Sequence, residues 1–153
     1  MTNFIGDHPC KVDGKGRILF PASLKKQISG DGDRFVIKKD LFENCLVIYT
    51  LEEWERQINQ IKAKTNSFNK EHNRFVRGFY RGTAEVMLDG SNRILIPRRL
   101  LDSAGVSKEV ILAGQDSKIE LWAKETYEGL LEDDMEFAAL AEKIMQGPIN
   151  EEE

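Results

Sequence analysis

Cysteine is scarce in this chain: its 153 residues include only Cys10 and Cys45, too few and too far apart for a disulfide framework or a zinc cluster. Both sit in apolar stretches and read as reduced core residues. Proline and glycine are also sparse, at 4 and 12, which excludes collagen-like and low-complexity chains. Long apolar runs are missing. Stretches such as 46–49, Leu-Val-Ile-Tyr, are strand-sized and fall far short of the roughly 18 to 20 residues a bilayer-spanning helix needs, so no membrane partner is predicted. The opening residues Met1 to Asp7 lack the basic and apolar regions of a secretory signal, which predicts a cytoplasmic protein.

Residue groupings that carry catalysis are equally thin. His8 and His72 have no cysteine or serine partner in a recognisable motif and read as surface or packing residues. Gly14-Lys15-Gly16 lacks the spacing that wraps a phosphate. Asp31-Gly32-Asp33 opens like a calcium loop, but Phe42 stands where the bidentate acid belongs. Glu132-Asp133-Asp134 are consecutive, so on a helix they point in different directions and read as a solvated face. The sequence therefore predicts no enzyme, no catalytic residue, no metal site, no cofactor and no small-molecule substrate.

What is present is a globular composition, 41% hydrophobic and 31% charged, at the length of one ordinary domain or two very small ones. The net charge of −4 is unevenly placed. Residues 124–153 carry ten acidic and two basic side chains, whereas residues 1–123 carry twenty basic and sixteen acidic. A basic body with an acidic terminal segment fits a polyanion-binding protein, and equally an ordinary domain with a solvated acidic tail.

The chain also repeats itself. Asp13-Gly14-Lys15-Gly16-Arg17-Ile18-Leu19-Phe20-Pro21-Ala22-Ser23-Leu24 matches Asp89-Gly90-Ser91-Asn92-Arg93-Ile94-Leu95-Ile96-Pro97-Arg98-Arg99-Leu100, with Asp, Gly, Arg, Ile, Leu, Pro and Leu identical. The likeness resumes where Leu46 to Tyr49 and Trp54 answer Ile119 to Trp122 and Tyr127. Each copy predicts about four short strands. Cys10 to Val12 leads through a glycine-rich turn into Arg17 to Phe20, a hairpin signal. Pro21 opens a short helix carrying Leu24 and Ile28, which Gly30 terminates, and Pro97 and Gly105 repeat that grammar. Phe35 to Ile37 pairs with Cys45 to Tyr49, and Glu109 to Leu112 with Lys118 to Trp122. A copy of under about 60 residues has too little core to stand alone, so the two are expected to share one.

Thr50 to Glu53 has capping-box spacing for a helix carrying Trp54, Ile58 and Ile61. Phe68, Phe75 and Phe79 then recur on one helical face, opposite a basic stripe of Lys70, Arg74, Arg77 and Arg81. That stripe reads as a solvated or intersubunit face. A last helix after Thr126 carries Tyr127, Leu131, Met135, Ala138 and Ile144 and is ended by Gly147-Pro148, with 149–153 frayed.

The twice-repeated Asp-x-x-x-Arg, at Asp13/Arg17 and Asp89/Arg93, is the candidate site, placed at the tips of two hairpins. Such an Asp accepts backbone N–H bonds within its turn and can fix the guanidinium by a bidentate pair, leaving donors for phosphates or guanine edges. The alternative is that Asp and Arg merely close the turn.

At these residues the chain resembles the MraZ transcriptional regulators, whose chains contain two AbrB/SpoVT-type swapped-hairpin halves, each marked by Asp-x-x-x-Arg. The likeness extends to Arg74-Phe75-Val76-Arg77 leading to Gly82-Thr83-Ala84-Glu85, and to Val110 to Gln115 leading to Glu120-Leu121-Trp122. Asn92 stands where that family often has Gly; Asn also tolerates φ > 0, so the turn survives. The tail beyond Tyr127 matches least.

The resemblance implies a mainly β protein with helices, an α+β chain whose two halves form one pseudo-two-fold β-barrel body, with connecting and C-terminal helices. The expected division is a first repeat at 7–54, a connecting helical segment at 55–82, a second repeat at 83–126 and an acidic C-terminal helix and tail at 127–153. It further implies a cytoplasmic, nucleoid-associated regulator of its own operon in the division and cell-wall cluster. Such a protein assembles into homo-oligomeric rings and binds short G-rich direct repeats in double-stranded DNA. Lys15, Arg17 and Arg93 are the first candidates for DNA contact, Arg98 and Arg99 at the following helix are further ones, and Asp13 and Asp89 orient the loops. An antitoxin-like or scaffold oligomer, using the same fold for protein contacts, is the rival expectation.

Overall fold

A computed structural model describes residues 2–29, 32–130 and 133–146 of the chain. The first copy contributes β1 (Phe4–Lys11), β2 (Arg17–Leu19), α1 (Ala22–Lys26), β3 (Arg34–Lys39) and β4 (Leu46–Thr50). Two helices follow, α2 (Leu51–Lys64) and α3 (Lys70–Tyr80). The second copy contributes β5 (Ala84–Met87), β6 (Arg93–Leu95), α4 (Arg98–Ser103), β7 (Glu109–Asp116) and β8 (Lys118–Ala123), and α5 (Lys124–Glu128) and α6 (Asp134–Met145) end the described chain.

The strands form an antiparallel six-stranded sheet in the order β1-β7-β8-β4-β3-β5 and a two-stranded ribbon, β2-β6. Exchanging the two copies turns the six-strand order into its own reverse, which is the mark of a pseudo-two-fold axis. The pairing is swapped between copies: β1 pairs with β7 of the second, and β5 pairs with β3 of the first. The axis crosses the sheet where Val47 faces Glu120, and the ribbon where Ile18 faces Ile94. Val12, just after β1, bridges to Ile18, and the Asp89 N–H, just after β5, donates to the Arg93 carbonyl. The ribbon thus links the two outer strands over one core, although among the described residues no continuous ladder closes a barrel.

That core draws on both copies. Ile18, Phe20, Leu24, Phe35, Ile37, Leu46 and Ile48 pack with Ile94, Ile96, Leu100, Leu101, Leu112, Ile119 and Leu121 in one cluster. Neither half buries its strands without the other, as a copy of this size requires. Cys45 is buried and Cys10 half-buried, both as free thiols, and burial pushes them up to about 12 and about 11. The arrangement also explains why β1 is longer than the expected Cys10 to Val12. All eight of its residues pair with β7, although Gly6 and Pro9 hide any local strand signal; Pro9 is tolerated because β1 is an outer strand. Gly114 is required where β1 crosses β7, since a Cβ there would lie 2.7 Å from the Ile5 nitrogen.

The local grammar holds in detail at several points. Pro21 and Pro97 cap α1 and α4, and Gly105 turns with φ +68 after α4. The helix α1 ends at Lys26, before Ile28, which packs on the core as a half-buried residue; Gly30 lies outside the described residues. Thr50 Oγ1 caps α2 by accepting the Glu53 N–H, the first half of a capping box. Glu53 turns instead to Arg56 and Gln57.

Three expectations are corrected. The glycine-rich turn builds only a rudimentary local hairpin, with a Val12–Ile18 bridge and the Asp13 N–H donating to the Arg17 carbonyl, because the ladder of β2 is with β6. The segment between the copies is two helices, broken at 65–69, where Asn69 caps α3 by accepting the N–H groups of Glu71 and His72. Phe68 therefore precedes the helix and is 97% exposed, Phe75 is half-exposed, and only Phe79 is buried within the chain. Finally, the terminal helix is two pieces, since Gly129 caps α5 and Asp133 starts α6 by accepting the Met135 N–H. Tyr127 packs beside Trp122, whereas no residue of α6 is buried. Leu131, Gly147-Pro148 and the residues after them lie outside the described residues.

One charged residue enters the covered face of β3. Lys38 is buried, with its Nζ 4.1 Å from the centroid of the Phe79 ring and donating to the Lys39 carbonyl at 3.2 Å. Burial lowers its pKa because the low-dielectric surroundings disfavour the charged form. Phe79 in turn stacks on Trp54, ring centroids 5.6 Å apart and 8° from parallel. This Lys38–Phe79–Trp54 pile fastens α2 and α3 to the sheet. The basic stripe Lys70, Arg74, Arg77 and Arg81 is exposed beside it.

Candidate functional site

Each Asp-x-x-x-Arg turn is held by its aspartate from within. In the first, Asp13 Oδ1 accepts the N–H groups of Lys15 and Arg17, both at 2.9 Å, while the Gly16 N–H donates to the Asp13 carbonyl at 3.0 Å. In the second, Asp89 Oδ1 accepts from the N–H groups of Ser91 at 2.8 Å and Arg93 at 3.0 Å, and Asn92 takes the place of Gly16 at 3.0 Å. Both turns need one residue in the left-handed region. Gly16 supplies it at φ +88 and Asn92 at φ +59, and Asn is among the few side chains that enter this region at low cost. The turns differ in reach: a Cβ on Gly16 would approach the Ile96 carbonyl to 3.0 Å.

These hydrogen bonds favour the charged carboxylate. Asp13 is lowered to about 2, chiefly by the Arg17 backbone N–H, and Asp89 is lowered chiefly by that of Arg93.

The arginine side chains do not follow the expected bidentate pairing. Arg17 Nε contacts Asp13 Oδ2 at 2.8 Å, a single bond, because Oδ1 is already occupied by two backbone donors. The two terminal nitrogens of Arg17 remain for another partner. Among the described residues Arg93 has no side-chain bond to Asp89 at all.

The tips also brace each other across the copies. The Phe20 N–H donates to the Asn92 carbonyl and the Ile96 N–H to the Gly16 carbonyl, both at 2.9 Å. Since β2 and β6 run antiparallel, with Arg17 opposite Leu95 and Leu19 opposite Arg93, these four side chains leave the same face of the ribbon. Ile18 and Ile94 leave the other and are fully buried. The two motif arginines, distant in sequence, therefore converge on one outward face, as diagonal neighbours roughly 7 to 8 Å apart at their Cα atoms.

Further cations lie on the tips and on the helices that follow them. Lys15 is exposed on the first tip, and Arg98 is exposed and shares a shallow depression with Asp13, Gly14 and Lys108. Arg99 is exposed too, but its Nη1 donates to the Gly82 carbonyl at 3.0 Å, tying α4 to the entry of β5. At the second tip Lys25 Nζ donates to Asn92 Oδ1 at 2.8 Å. Lys25 and Lys26 rim an open groove of about 810 Å³ whose wall includes Leu19, Phe20 and Pro21.

Sequence reasoning missed Lys25 and Lys26 on α1 and the exposed Leu19 and Leu95. The signal for the leucines was the alternation in Arg-Ile-Leu, which puts Leu on the same side as Arg once Ile is inward. His72 lies apart from this constellation, its Nδ1 accepting the Asn66 N–H at 2.9 Å in the α2–α3 turn, whereas half-buried His8 faces Ser23 and lines the same groove as Leu19, Lys25 and Lys26. Among the described residues no group of histidine, cysteine and acidic side chains is arranged to hold a metal, and no helix is long and apolar enough to cross a membrane.

Comparison with known proteins matches the chain to a family described as "MraZ protein, putative antitoxin-like", whose model covers residues 3–78 and again 79–146. Among similar curated proteins, the Transcriptional regulator MraZ of Christiangramia forsetii is 43% identical over 147 residues, 95% of this chain and 94% of that protein. Its namesake in Flavobacterium psychrophilum is 38% identical over 155 residues, 100% of this chain and 98% of that protein. That of Bacteroides fragilis is 37% identical over 147 residues, 95% and 93% of the two chains. With two family matches falling on the two copies of a swapped-hairpin body, each copy built around its own Asp-x-x-x-Arg turn, the chain belongs to the MraZ family.

Proposed function

We propose that this protein is a sequence-specific DNA-binding transcriptional regulator, acting without a cofactor or a catalytic step. The observation that carries the reading is the convergence of Arg17 and Arg93 on one outward ribbon face, with Lys25 bonded to Asn92 at the second tip and Lys15 exposed on the first. Guanidinium forks on a two-stranded ribbon suit guanine O6 and N7 in the major groove, which admits such a ribbon. Lys15, Arg98 and the remaining donors of Arg99 hold phosphates, which set register without reading sequence. Asp13 and Asp89 orient the loops and stay off the DNA, since Oδ1 of each is engaged by two backbone N–H groups and Asp13 Oδ2 by Arg17 Nε. The names of the relatives, transcriptional regulators, agree with this reading.

In the finer form of the proposal the protein is cytoplasmic and nucleoid-associated and controls its own operon in the division and cell-wall cluster. It binds short G-rich direct repeats as a ring-shaped homo-oligomer. The repeats at 7–54 and 83–126 form the reading body, 55–82 contributes to ring contacts and 127–153 is an acidic appendage. A chain of net charge −4 neutralises few phosphates by itself, so affinity at physiological salt arises from neighbouring subunits engaging successive repeats.

A band shift at moderate salt with DNA from upstream of its own gene tests the core of this reading. Retarded DNA that Arg17→Ala no longer retards supports it, and absence of any shift overturns it. The family description "putative antitoxin-like" favours one rival, an oligomer that uses the same fold for protein contacts; a stable assembly that binds no DNA is the outcome that selects it.

A further inference from the structure

Leu19 and Leu95, the last residues of β2 and β6, are each 57% exposed although they are paired in the ribbon that closes over the core. Each stands directly opposite a motif arginine, Leu95 across from Arg17 and Leu19 across from Arg93. The four side chains form a checkerboard of two cations and two branched alkyl groups on one face, generated by the pseudo-two-fold axis through Ile18 and Ile94. Both copies retain leucine at this outward position even though their tips differ elsewhere, Lys15 against Ser91 and Gly16 against Asn92.

We propose that Leu19 and Leu95 are specificity-determining residues that contact thymine C5-methyl groups beside the guanines met by Arg93 and Arg17. This rests on the DNA-reading function above and names the chemistry of its target. Charge complementarity commits the face to DNA: it carries Arg17 and Arg93, Lys25 is bonded to Asn92 at the second tip, Lys25 and Lys26 share a groove with Leu19, and Lys15 is exposed on the first tip, while Oδ1 of Asp13 and of Asp89 is engaged by backbone N–H groups. A phosphate-lined groove is the partner such a set of cations fits. Within that groove the thymine methyl is the apolar feature presented by a base edge. Cross-strand partners on one face lie about 4.5 to 5.5 Å apart at Cβ, and successive base pairs rise about 3.4 Å. An arginine on a guanine therefore places its leucine partner over a base one or two pairs away. One chain reads a short element with both arginines, and the leucines add a preference for thymine over cytosine or uracil at its flanks.

Selection from a random-sequence duplex pool, followed by affinity measurement on the winning duplex with single thymine-to-deoxyuridine changes, tests this. Deoxyuridine removes only the methyl group and leaves every hydrogen-bonding edge in place. The unmodified protein is expected to enrich a guanine with a thymine within two base pairs, and deoxyuridine there is expected to weaken binding about three- to tenfold. Leu19→Ala and Leu95→Ala, both at exposed positions, are expected to fold normally, keep the guanine preference and each lose the penalty at one thymine. A motif without thymine, or a deoxyuridine penalty equal in the unmodified protein and both variants, overturns the proposal. An altered oligomeric state of the leucine variants in light scattering, with an unchanged motif, assigns the patch to a second copy and also overturns it. Enrichment of no motif by the unmodified protein removes DNA reading itself, a separate failure.

Discussion

Ile18 pairs with Ile94 across the ribbon, and each is the other's counterpart in the repeat. Both side chains are fully buried at the point where the pseudo-two-fold axis enters the core. Replacing either by alanine is expected to cost about 2 to 5 kcal/mol. Because the two are direct partners, the double replacement is expected to depart from the sum of the singles. Denaturant melts of the three variants measure this, and strict additivity would show that the two sites relax independently.

The turn residues Gly16 and Asn92 are equivalent in φ but not in space. Gly16→Ala combines the left-handed strain with an approach of 3.0 Å to the Ile96 carbonyl, and a loss of about 1 to 3 kcal/mol is expected. Asn92→Gly keeps the turn, loses only the Lys25 bond, and is expected to stay within about 1 kcal/mol of the parent. Thermal melts that rank the two in the opposite order would remove the close approach as the cause.

Arginine and lysine at the first tip are expected to fail differently. Arg17→Ala should weaken specific binding by about 1 to 3 kcal/mol and relax preference at one base. Lys15→Ala should weaken binding to all sequences alike and reduce the salt slope by about 1. Fluorescence anisotropy on specific and scrambled duplexes across a salt series separates them.

Acid stability follows from the carboxylates of the turns. Asp13 is depressed in the folded protein, from 3.8 to about 2, and Asp89 is depressed as well. A depressed folded pKa adds stability above the unfolded pKa, and that stability is lost as pH falls through the folded value. The melting temperature should therefore decline between about pH 4 and about pH 2, and the decline should be shallower in Asp13→Asn, whose amide no longer titrates. Screening by solvent keeps this contribution modest, because both groups lie at the surface. Parallel curves for parent and variant would assign the acid limb to other groups.

The docking of α2 and α3 depends on Phe79, held between Lys38 and Trp54. Phe79→Ala is expected to cost about 3 to 5 kcal/mol and to expose Trp54, shifting its fluorescence to the red. Lys38→Met, which removes a desolvated charge, is expected to be neutral or stabilising. Destabilisation by Lys38→Met comparable to that by Phe79→Ala would make the cation the dominant element of the pile.

Short-range features were determined by the amino-acid sequence itself. The Asp-x-x-x-Arg turns, the prolines that start α1 and α4, the Thr50 cap and the strand-forming runs around Ile37, Ile48, Leu112 and Ile119 all follow from hydrogen bonds and φ preferences within a few residues. The repeat announced that two halves share a core. The local pairs β3–β4 and β7–β8 were legible too, but the tertiary structure alone decided the partners of β1, β2, β5 and β6. Because β1 meets β7 and β5 meets β3, while local hairpins would have matched the same residues to nearer partners, the choice lies in the long-range burial of Phe4, Ile18, Ile94 and Leu112 in one common interior. For the same reason Phe79 turned inward while Phe68 stayed exposed, although both carry the same side chain at helical spacing. The convergence of Arg17 and Arg93 beside Leu95 and Leu19 belongs to this second class: alternation shows which way each side chain points, but only the pairing of β2 with β6 brings residues so distant in sequence onto one face.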